Sequence, residues 1–446
     1  MTLPVQTPPS TGVFHPRIIA FVCKWCTYAG ADLAGMSRMQ YSPELKTLML
    51  PCSGRIDVTL VLRAFLQGAD GVLVSGCHPG DCHYTAGNFR ARRRWTLLRD
   101  LLDVLGFDLR RLEIAWISAA EGAKWARMAE DFTQRVRELG PYESLHQVAR
   151  DRTPPSVPGE TGPEREGSEP AIAADPALLQ AVREALDSKA LDAVLGWRRT
   201  RTLNRAAPGW VTEPSGAETL VAPGVAANLV RFLAEPRVKA LGKVGVVARP
   251  SEVAALNVLA QECQVDPERV QVFEVDPTGA FRGVRDLAGA AEDLLEALGP
   301  DRITGFSDET LKLLDDLMAR PREERFRFWA EQSERCVRCY ACRASCPMCR
   351  CSQCYSDKNQ PQWFPTAADG PGNLSWQIVR AFHLAGRCVG CGACQEACPT
   401  GIPLNVLSAA LARSALRNFG HQAGVDPAAA PLQADYKAQD PESFIR

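Results

Sequence analysis

Short apolar runs alternate with helical patterns along the N-terminal part of the chain. Short apolar runs predict strands over residues 17–22, 46–50, 71–74 and 112–117. Between them, apolar residues recur every three or four positions, which predicts helices over residues 56–67, 84–105 and 121–139. Strands that alternate with helices are typical of an α/β domain, so the pattern predicts a doubly wound, flavodoxin-like parallel sheet over residues 13–142.

Cysteines follow directly on three of these predicted strands. They are Cys23 and Cys26 after the first strand, Cys52 after the second, and Cys77 and Cys82 after the third. The carboxyl ends of parallel strands meet at one edge of a sheet, where binding sites assemble, so we expect the five thiols to converge in space. One iron–sulfur cluster takes four thiolates and would leave one of the five spare.

Other interpretations of this cysteine set remain open. Four thiolates also bind zinc. Cys23-x2-Cys26 after a strand is typical of a thioredoxin-like redox pair, although that function would leave the other three cysteines unexplained. His78 and His83 each follow a cysteine, which suggests a Rieske centre, but that centre has a different spacing. We expect these two imidazoles to hydrogen-bond to sulfur or simply to pack.

The chain after this module divides into a linker and a second domain. Residues 143–177 are rich in Pro, Gly and Glu, which predicts a flexible linker. Residues 178–330 show strand patterns at 243–248 and 270–275 with a helical pattern between them, which predicts an α/β middle domain. This domain holds a single cysteine, Cys263.

Two cysteine runs of identical spacing follow in residues 331–412. The first reads C-x2-C-x2-C-x3-C-P from Cys336 to Pro347, and the second repeats it from Cys388 to Pro399. Each is the bacterial ferredoxin run, whose fourth cysteine ligates the cluster of the other run. The repeat therefore predicts an α+β two-cluster ferredoxin domain, because zinc ribbons use pairs of thiols separated by a loop instead.

This rule assigns the ligands of two [4Fe–4S] clusters. The first cluster is predicted to use Cys336, Cys339, Cys342 and Cys398. The second is predicted to use Cys388, Cys391, Cys394 and Cys346. Three further cysteines lie between the runs and could ligate a third cluster or a zinc ion, or remain free thiols: Cys349, Cys351 and Cys354. A fourth ligand for that third site is missing nearby. Residues 413–446 are predicted to form a tail that is polar and loose from Gly424 onward.

Composition and charge narrow the function further. The chain has 51 basic and 52 acidic residues, which argues against binding to nucleic acid. Its 17 cysteines are too sparse for a disulfide scaffold in a protein of 446 residues. No stretch approaches the ~18 apolar residues of a membrane span, and the N-terminus lacks the apolar core of a secretory signal. We expect the protein to lie in the reducing cytoplasm, where iron–sulfur clusters persist.

The N-terminal cysteine motifs resemble a known family. FVCKWCTYAGADLAGMSRMQY, PCSGRID and GCHPGDCHYTAGN are similar to the delta subunit of methyl-viologen-reducing hydrogenase, and the resemblance covers about residues 21–139. It implies a [2Fe–2S] cluster held by four of the five N-terminal cysteines. It also implies electron transfer to heterodisulfide reductase.

The remaining chain is similar to beta-type subunits of formate dehydrogenases and deazaflavin-reducing hydrogenases. The pieces that carry the resemblance are VAPGVAANLVRFLAE, KVGVVARPSEVAALNVL and RCVRCYACRASCPMCRCSQC. Some relatives bind flavin in the middle domain and have a Lys-Gly-Cys-Asp type turn there. Here the turn is Arg249-Pro250-Ser251-Glu252, which argues against FAD. No GxGxxG fingerprint follows a strand, so a Rossmann-type nicotinamide site is unsupported.

Together these features predict an electron-transfer subunit of an oxidoreductase complex rather than a stand-alone enzyme. No Ser-His-Asp set or paired carboxylates suggest a catalytic site. The expected donor is a hydrogenase, a formate dehydrogenase or an NADH-dependent flavoprotein. The expected acceptor is a flavin-bifurcating protein like heterodisulfide reductase, or electrons flow in reverse. The alternatives are a subunit that accepts hydride on FAD in the middle domain, and a zinc-bearing assembly scaffold.

Overall fold

The computed structural model describes residues 14–142, 172–200, 206–222, 227–298, 303, 305–358 and 360–446. These residues belong to two compact units. Unit 1 comprises the described residues of 1–94, 108–151 and 441–446, and unit 2 comprises those of 95–107 and 152–440. No helix in the described residues is long and apolar enough to cross a membrane.

Unit 1 contains a four-stranded parallel sheet, as the hydrophobic pattern predicts. Its strands are β1 (Ile18–Cys23), β2 (Leu45–Leu50), β3 (Gly71–Gly76) and β4 (Leu112–Trp116), in the order β2-β1-β3-β4. The helices are α1 (Thr27–Met36), α2 (Val58–Leu66), α3 (Gly87–Val104) and α4 (Gly122–Leu139). The residues of α3 from Trp95 onward belong to unit 2. Strands β3 and β4 are buried throughout, because a parallel sheet is covered on both faces.

The end of the chain is part of unit 1 and is not the loose tail that its composition predicts. The backbone of Arg446 bonds to Ile114 and Trp116 of β4, at the free edge of the sheet. Glu442 pairs at 2.8 Å with the buried guanidinium of Arg92. The polar composition hides these contacts, because they depend on residues that are distant in sequence.

Unit 2 contains a five-stranded mixed sheet. Its strands are β5 (Ala193–Arg199), β6 (Ala206–Val211), β7 (Val244–Ala248), β8 (Val270–Val275) and β9 (Phe281–Asp286), in the order β6-β5-β7-β8-β9. The three central strands are parallel, and both edge strands pair antiparallel to them. The helices are α5 (Pro176–Asp187), α6 (Pro236–Lys239), α7 (Pro250–Gln261) and α8 (Leu287–Leu298). The predicted linker lies outside the described residues up to residue 171, and α5 begins near its end.

The cysteine-rich part of unit 2 is helical. Its helices are α9 (Asp308–Met318), α10 (Arg322–Glu334), α11 (Ala341–Ser345), α12 (Gly370–His383), α13 (Ala393–Glu396) and α14 (Leu404–Phe419). The described residues of 305–446 contain no β-strand, so the expected α+β class is not seen there. The segments on the two sides of the cysteine runs form the helices α10 and α14. Beyond α14, the buried Leu432 packs against Gly386, so this part of the predicted tail is also packed.

Candidate metal centres

The five N-terminal cysteines lie at the carboxyl edge of the unit 1 sheet, and four of them form two close pairs. The Sγ atoms of Cys23 and Cys77 are 3.7 Å apart, and those of Cys52 and Cys82 are 3.8 Å apart. These four thiols are buried, whereas Cys26 is half-buried beside them. The pairs are close enough for Cys52 to interact electrostatically with Cys23, and Cys26 with Cys82.

The spacing within each pair suits two thiolates on one tetrahedral metal ion. Metal–sulfur bonds of about 2.3 Å at tetrahedral angles place two sulfurs about 3.8 Å apart. A binuclear cluster takes two protein ligands on each of its irons, which calls for two such pairs. In the part of the chain that the structure describes, no group of three or more Cys, His, Asp or Glu side chains is arranged around a single metal position.

The charges of these thiols depend strongly on one another. The hydrogen bond with Cys77 lowers the pKa of Cys23 to about 6, and the same bond raises the pKa of Cys77. Burial, together with the charge of Cys82, raises the pKa of Cys52 to about 11. Two thiolates in contact repel each other, so a bound cation is what allows every member of the set to ionise.

Glycine leaves room next to one of these pairs. A Cβ atom at Gly87 would overlap Sγ of Cys52 and lie 3.1 Å from Sγ of Cys82. The backbone N–H of Gly54 donates to Sγ of Cys52 at 3.4 Å. Residue 87 therefore has to be a glycine for the two sulfurs to keep their positions.

The neighbouring histidines have partners other than sulfur. His78 Nε2 is 2.7 Å from Oε2 of Glu121, and the ring of His83 stacks on Trp25 with 3.8 Å between centroids. These contacts give the Rieske interpretation no support. The buried Asn88 donates to the backbone oxygens of Cys77 and His78 and so holds the loop after β3. Sequence reasoning misses Asn88, because an asparagine at the start of a helix is common.

The C-terminal cysteines come together in two groups that cross between the runs. Cys336 and Cys342 interact electrostatically with Cys398, which ends the second run. Cys346, which ends the first run, interacts in the same way with the other three cysteines of the second run: Cys388, Cys391 and Cys394. Cys339 is exposed but interacts with Cys336. Each fourth cysteine thus interacts with the partner run, and Cys342 interacts with Cys394 as well.

Both runs fold into the same turn. The second and fourth residues after the first cysteine have left-handed backbones, with φ of 52° at Arg338, 61° at Tyr340, 70° at Gly390 and 76° at Gly392. In each run the backbone N–H two residues after the first cysteine interacts with its sulfur, that of Arg338 with Cys336 and that of Gly390 with Cys388. Only the second run has the glycines that this conformation favours, so the first run accepts backbone strain to form the turn.

Burial dominates the electrostatics of these two groups. It raises the pKa of Cys342 and of Cys388 to about 12. Cys346 is the exception, because a hydrogen bond with Cys349 lowers its pKa to about 6. Thiols in such surroundings stay protonated unless positive charge is supplied nearby.

The three cysteines between the runs have different surroundings. Cys349 interacts with Cys346 through a thiol hydrogen bond, Cys351 is exposed, and Sγ of Cys354 is 3.1 Å from Oγ of Ser356. A third metal site at these residues stays a prediction. In the middle domain, Arg249 Nη2 and the buried Glu252 Oε1 pair at 2.6 Å at the start of α7.

Two family models match parts of the chain. Residues 18–140 match the delta subunit of methyl-viologen-reducing hydrogenase, and residues 332–402 match a 4Fe-4S dicluster domain. The first match agrees with the resemblance of the cysteine motifs in unit 1. The second covers both cysteine runs.

Curated relatives match the N-terminal module. The iron-sulfur subunit of the F420-non-reducing hydrogenase vhc of Methanococcus voltae is 48% identical over 128 residues, which are 29% of this chain and 89% of the relative. The iron-sulfur subunit of the F420-non-reducing hydrogenase of Archaeoglobus profundus is 45% identical over 130 residues, 29% of this chain and 95% of the relative. One subunit of the ferredoxin/F(420)H(2)-dependent CoB-CoM heterodisulfide reductase of Methanosarcina acetivorans is 44% identical over 129 residues, 29% of this chain and 16% of the relative.

Proposed function

This chain belongs, through residues 18–140, to the family of methyl-viologen-reducing hydrogenase delta subunits, and we propose that it relays single electrons between two partner proteins. It is an iron–sulfur subunit that supports electron transfer. The proposed donor is a hydrogenase, a formate dehydrogenase or an NADH-dependent flavoprotein. The proposed acceptor is a flavoprotein like heterodisulfide reductase, because one subunit of such an enzyme carries the same module. Flow in the opposite direction uses the same centres.

In unit 1 the proposal assigns one [2Fe–2S] cluster to a flavodoxin-like domain. Cys23 and Cys77 would hold one iron, and Cys52 and Cys82 the other. The spacing of 3.7 Å and 3.8 Å within the pairs supports this assignment. Cys26 is then the spare thiol. The glycine at position 87 and the N–H of Gly54 keep the second pair of sulfurs in place.

In unit 2 the proposal assigns two [4Fe–4S] clusters to the crossed cysteine groups. The observation that carries it is the repeated left-handed turn, which aims a backbone N–H at the first sulfur of each run. Bound clusters would supply one-electron redox chemistry at potentials set by hydrogen bonds, charge and burial. The chain itself would hold the sulfurs, exclude water and supply N–H donors.

The test is the content of iron, zinc and acid-labile sulfide in protein purified without air. We expect about ten iron and about ten sulfide per chain, from one binuclear and two cubane clusters. About fourteen iron would show that Cys349, Cys351 and Cys354 also hold a cubane. Several zinc ions with little iron would refute the relay and favour the scaffold. Stoichiometric FAD would favour hydride transfer in the middle domain, where the Arg249–Glu252 pair occupies the start of α7.

Replacing Gly87 with alanine tests the N-terminal assignment without removing a ligand. Gly87→Ala is expected to displace the sulfurs of Cys52 and Cys82 and to lower the iron content by about two atoms per chain. Gly35→Ala is the control, because its Cβ would meet nothing within 4 Å and it also lies in a helix. Full iron content in Gly87→Ala would contradict the assignment of this pair.

A further inference from the structure

Helix α12 carries a buried arginine next to both C-terminal cysteine groups. Arg380 is 5% exposed, and its Nη2 donates to the backbone oxygen of Cys342 at 3.0 Å. Its Nε is buried and has no hydrogen-bond partner. Arginine does not lose its proton in proteins, so this positive charge is permanent.

The pairing of Arg380 differs from that of three other buried arginines. Arg92 pairs with Glu442, Arg325 with Asp103, and Arg338 with Asp357. The ion pairs of the described residues include no carboxylate for Arg380. A buried guanidinium without a counter-charge is strongly destabilising, so the fold must supply negative charge from another source.

The groups around Arg380 identify that source as sulfur. Its guanidinium interacts electrostatically with the thiols of Cys394 and Cys349. It also interacts electrostatically with Cys342 and Cys346. Cys342 belongs to the first proposed cluster, whereas Cys346 and Cys394 belong to the second. One guanidinium therefore faces the sulfurs of both clusters.

A second residue of the same helix shares this feature. Trp376 lies one turn before Arg380 and packs with Cys342 and Cys394. Its Nε1 is also buried without an acceptor. Residues four apart lie on the same face of a helix, so α12 presents two unpaired N–H donors on one face. Sulfur atoms of the clusters would accept from both.

We propose that Arg380 is a positioning residue shared by the two proposed [4Fe–4S] clusters, whose reduction potentials it raises together. The inference rests on the proposed function. A reduced cluster carries one more negative charge than an oxidised one, so a fixed positive charge nearby stabilises the reduced form. Because the same charge acts on both clusters, it changes the difference between their reduction potentials little. Electron transfer from one cluster to the other is therefore not opposed by this charge.

The test is an EPR-monitored redox titration of the whole protein. Arg380→Met removes the charge but keeps a long, unbranched side chain. At a fixed potential we expect the ratio of reduced to oxidised cluster to fall about tenfold for both clusters, a shift of about 59 mV for one electron. Arg413→Gln is the control, because Arg413 is a surface residue that pairs with Asp315.

A conservative variant covers the case in which Arg380→Met fails to bind iron. In Arg380→Lys the charge remains, but a single ammonium lacks the planar fork that reaches both groups. We expect normal iron content and a lowered ratio for at least one cluster. A variant with full iron content and unchanged potentials for both clusters overturns the inference. Wild-type protein without cubane iron would instead refute the proposed function, before Arg380 is tested.

Discussion

Cys398→Ala is expected to remove about four iron atoms per chain and to leave the other cubane in place. In the structure Cys398 belongs with Cys336 and Cys342, although it ends the other run. Its loss should therefore open the cluster that is built on the first run. If each run instead held its own cluster, the same change would open the cluster of the second run.

Iron counts of double variants separate these two arrangements. Cys398→Ala combined with Cys336→Ala should cost about four iron atoms in total, because both ligands serve one cluster. Cys398→Ala combined with Cys388→Ala should cost about eight, because the ligands then serve different clusters. If each run holds its own cluster, the first double variant should lose about eight iron atoms and the second about four. That result would contradict the crossed assignment.

The control for this series is another cysteine of the same segment. Cys351 is exposed, and the proposal assigns it to neither cluster. Cys351→Ala is expected to keep the full iron content. A loss of iron in this variant would instead indicate that the cysteines between the runs take part in binding.

The sequence predicts the sheet of unit 1 because its signals are local. The strands are short and mainly apolar, and Cys23, Cys52 and Cys77 lie at the ends of strands whose carboxyl ends share one edge. The pairing of these thiols, Cys23 with Cys77 and Cys52 with Cys82, is beyond sequence reasoning. It depends on how three loops close over the sheet edge, and no local pattern specifies that closure.

The helical environment of the C-terminal cysteines is likewise hidden in the sequence. The spacing of the runs predicts the crossed groups, but Arg380 and Trp376 lie between the runs with no cysteine nearby. Their importance emerges only from burial and from polar atoms without partners. The left-handed turn is visible in the second run, where Gly390 and Gly392 mark it, and is concealed in the first by non-glycine residues.

The second large effect concerns the N-terminal cysteines, of which one should be dispensable. Cys52→Ala is expected to lose about two iron atoms per chain, whereas Cys26→Ala should keep them. The reason is that Cys52 belongs to a buried pair, while Cys26 is half-buried and belongs to neither pair. Iron analysis and the visible absorption of the purified variants measure both outcomes.

The remaining members of the pairs complete this test. Cys23→Ala, Cys77→Ala and Cys82→Ala should each behave like Cys52→Ala, since removal of any one of them leaves an iron with a single protein ligand. Cys263→Ala is the control, because Cys263 is exposed and lies in unit 2. Cys26 also interacts with Cys77, so the variants distinguish Cys23 from Cys26 as the partner of Cys77. If Cys26→Ala loses the iron and Cys23→Ala keeps it, then Cys26 and Cys77 form the ligand pair.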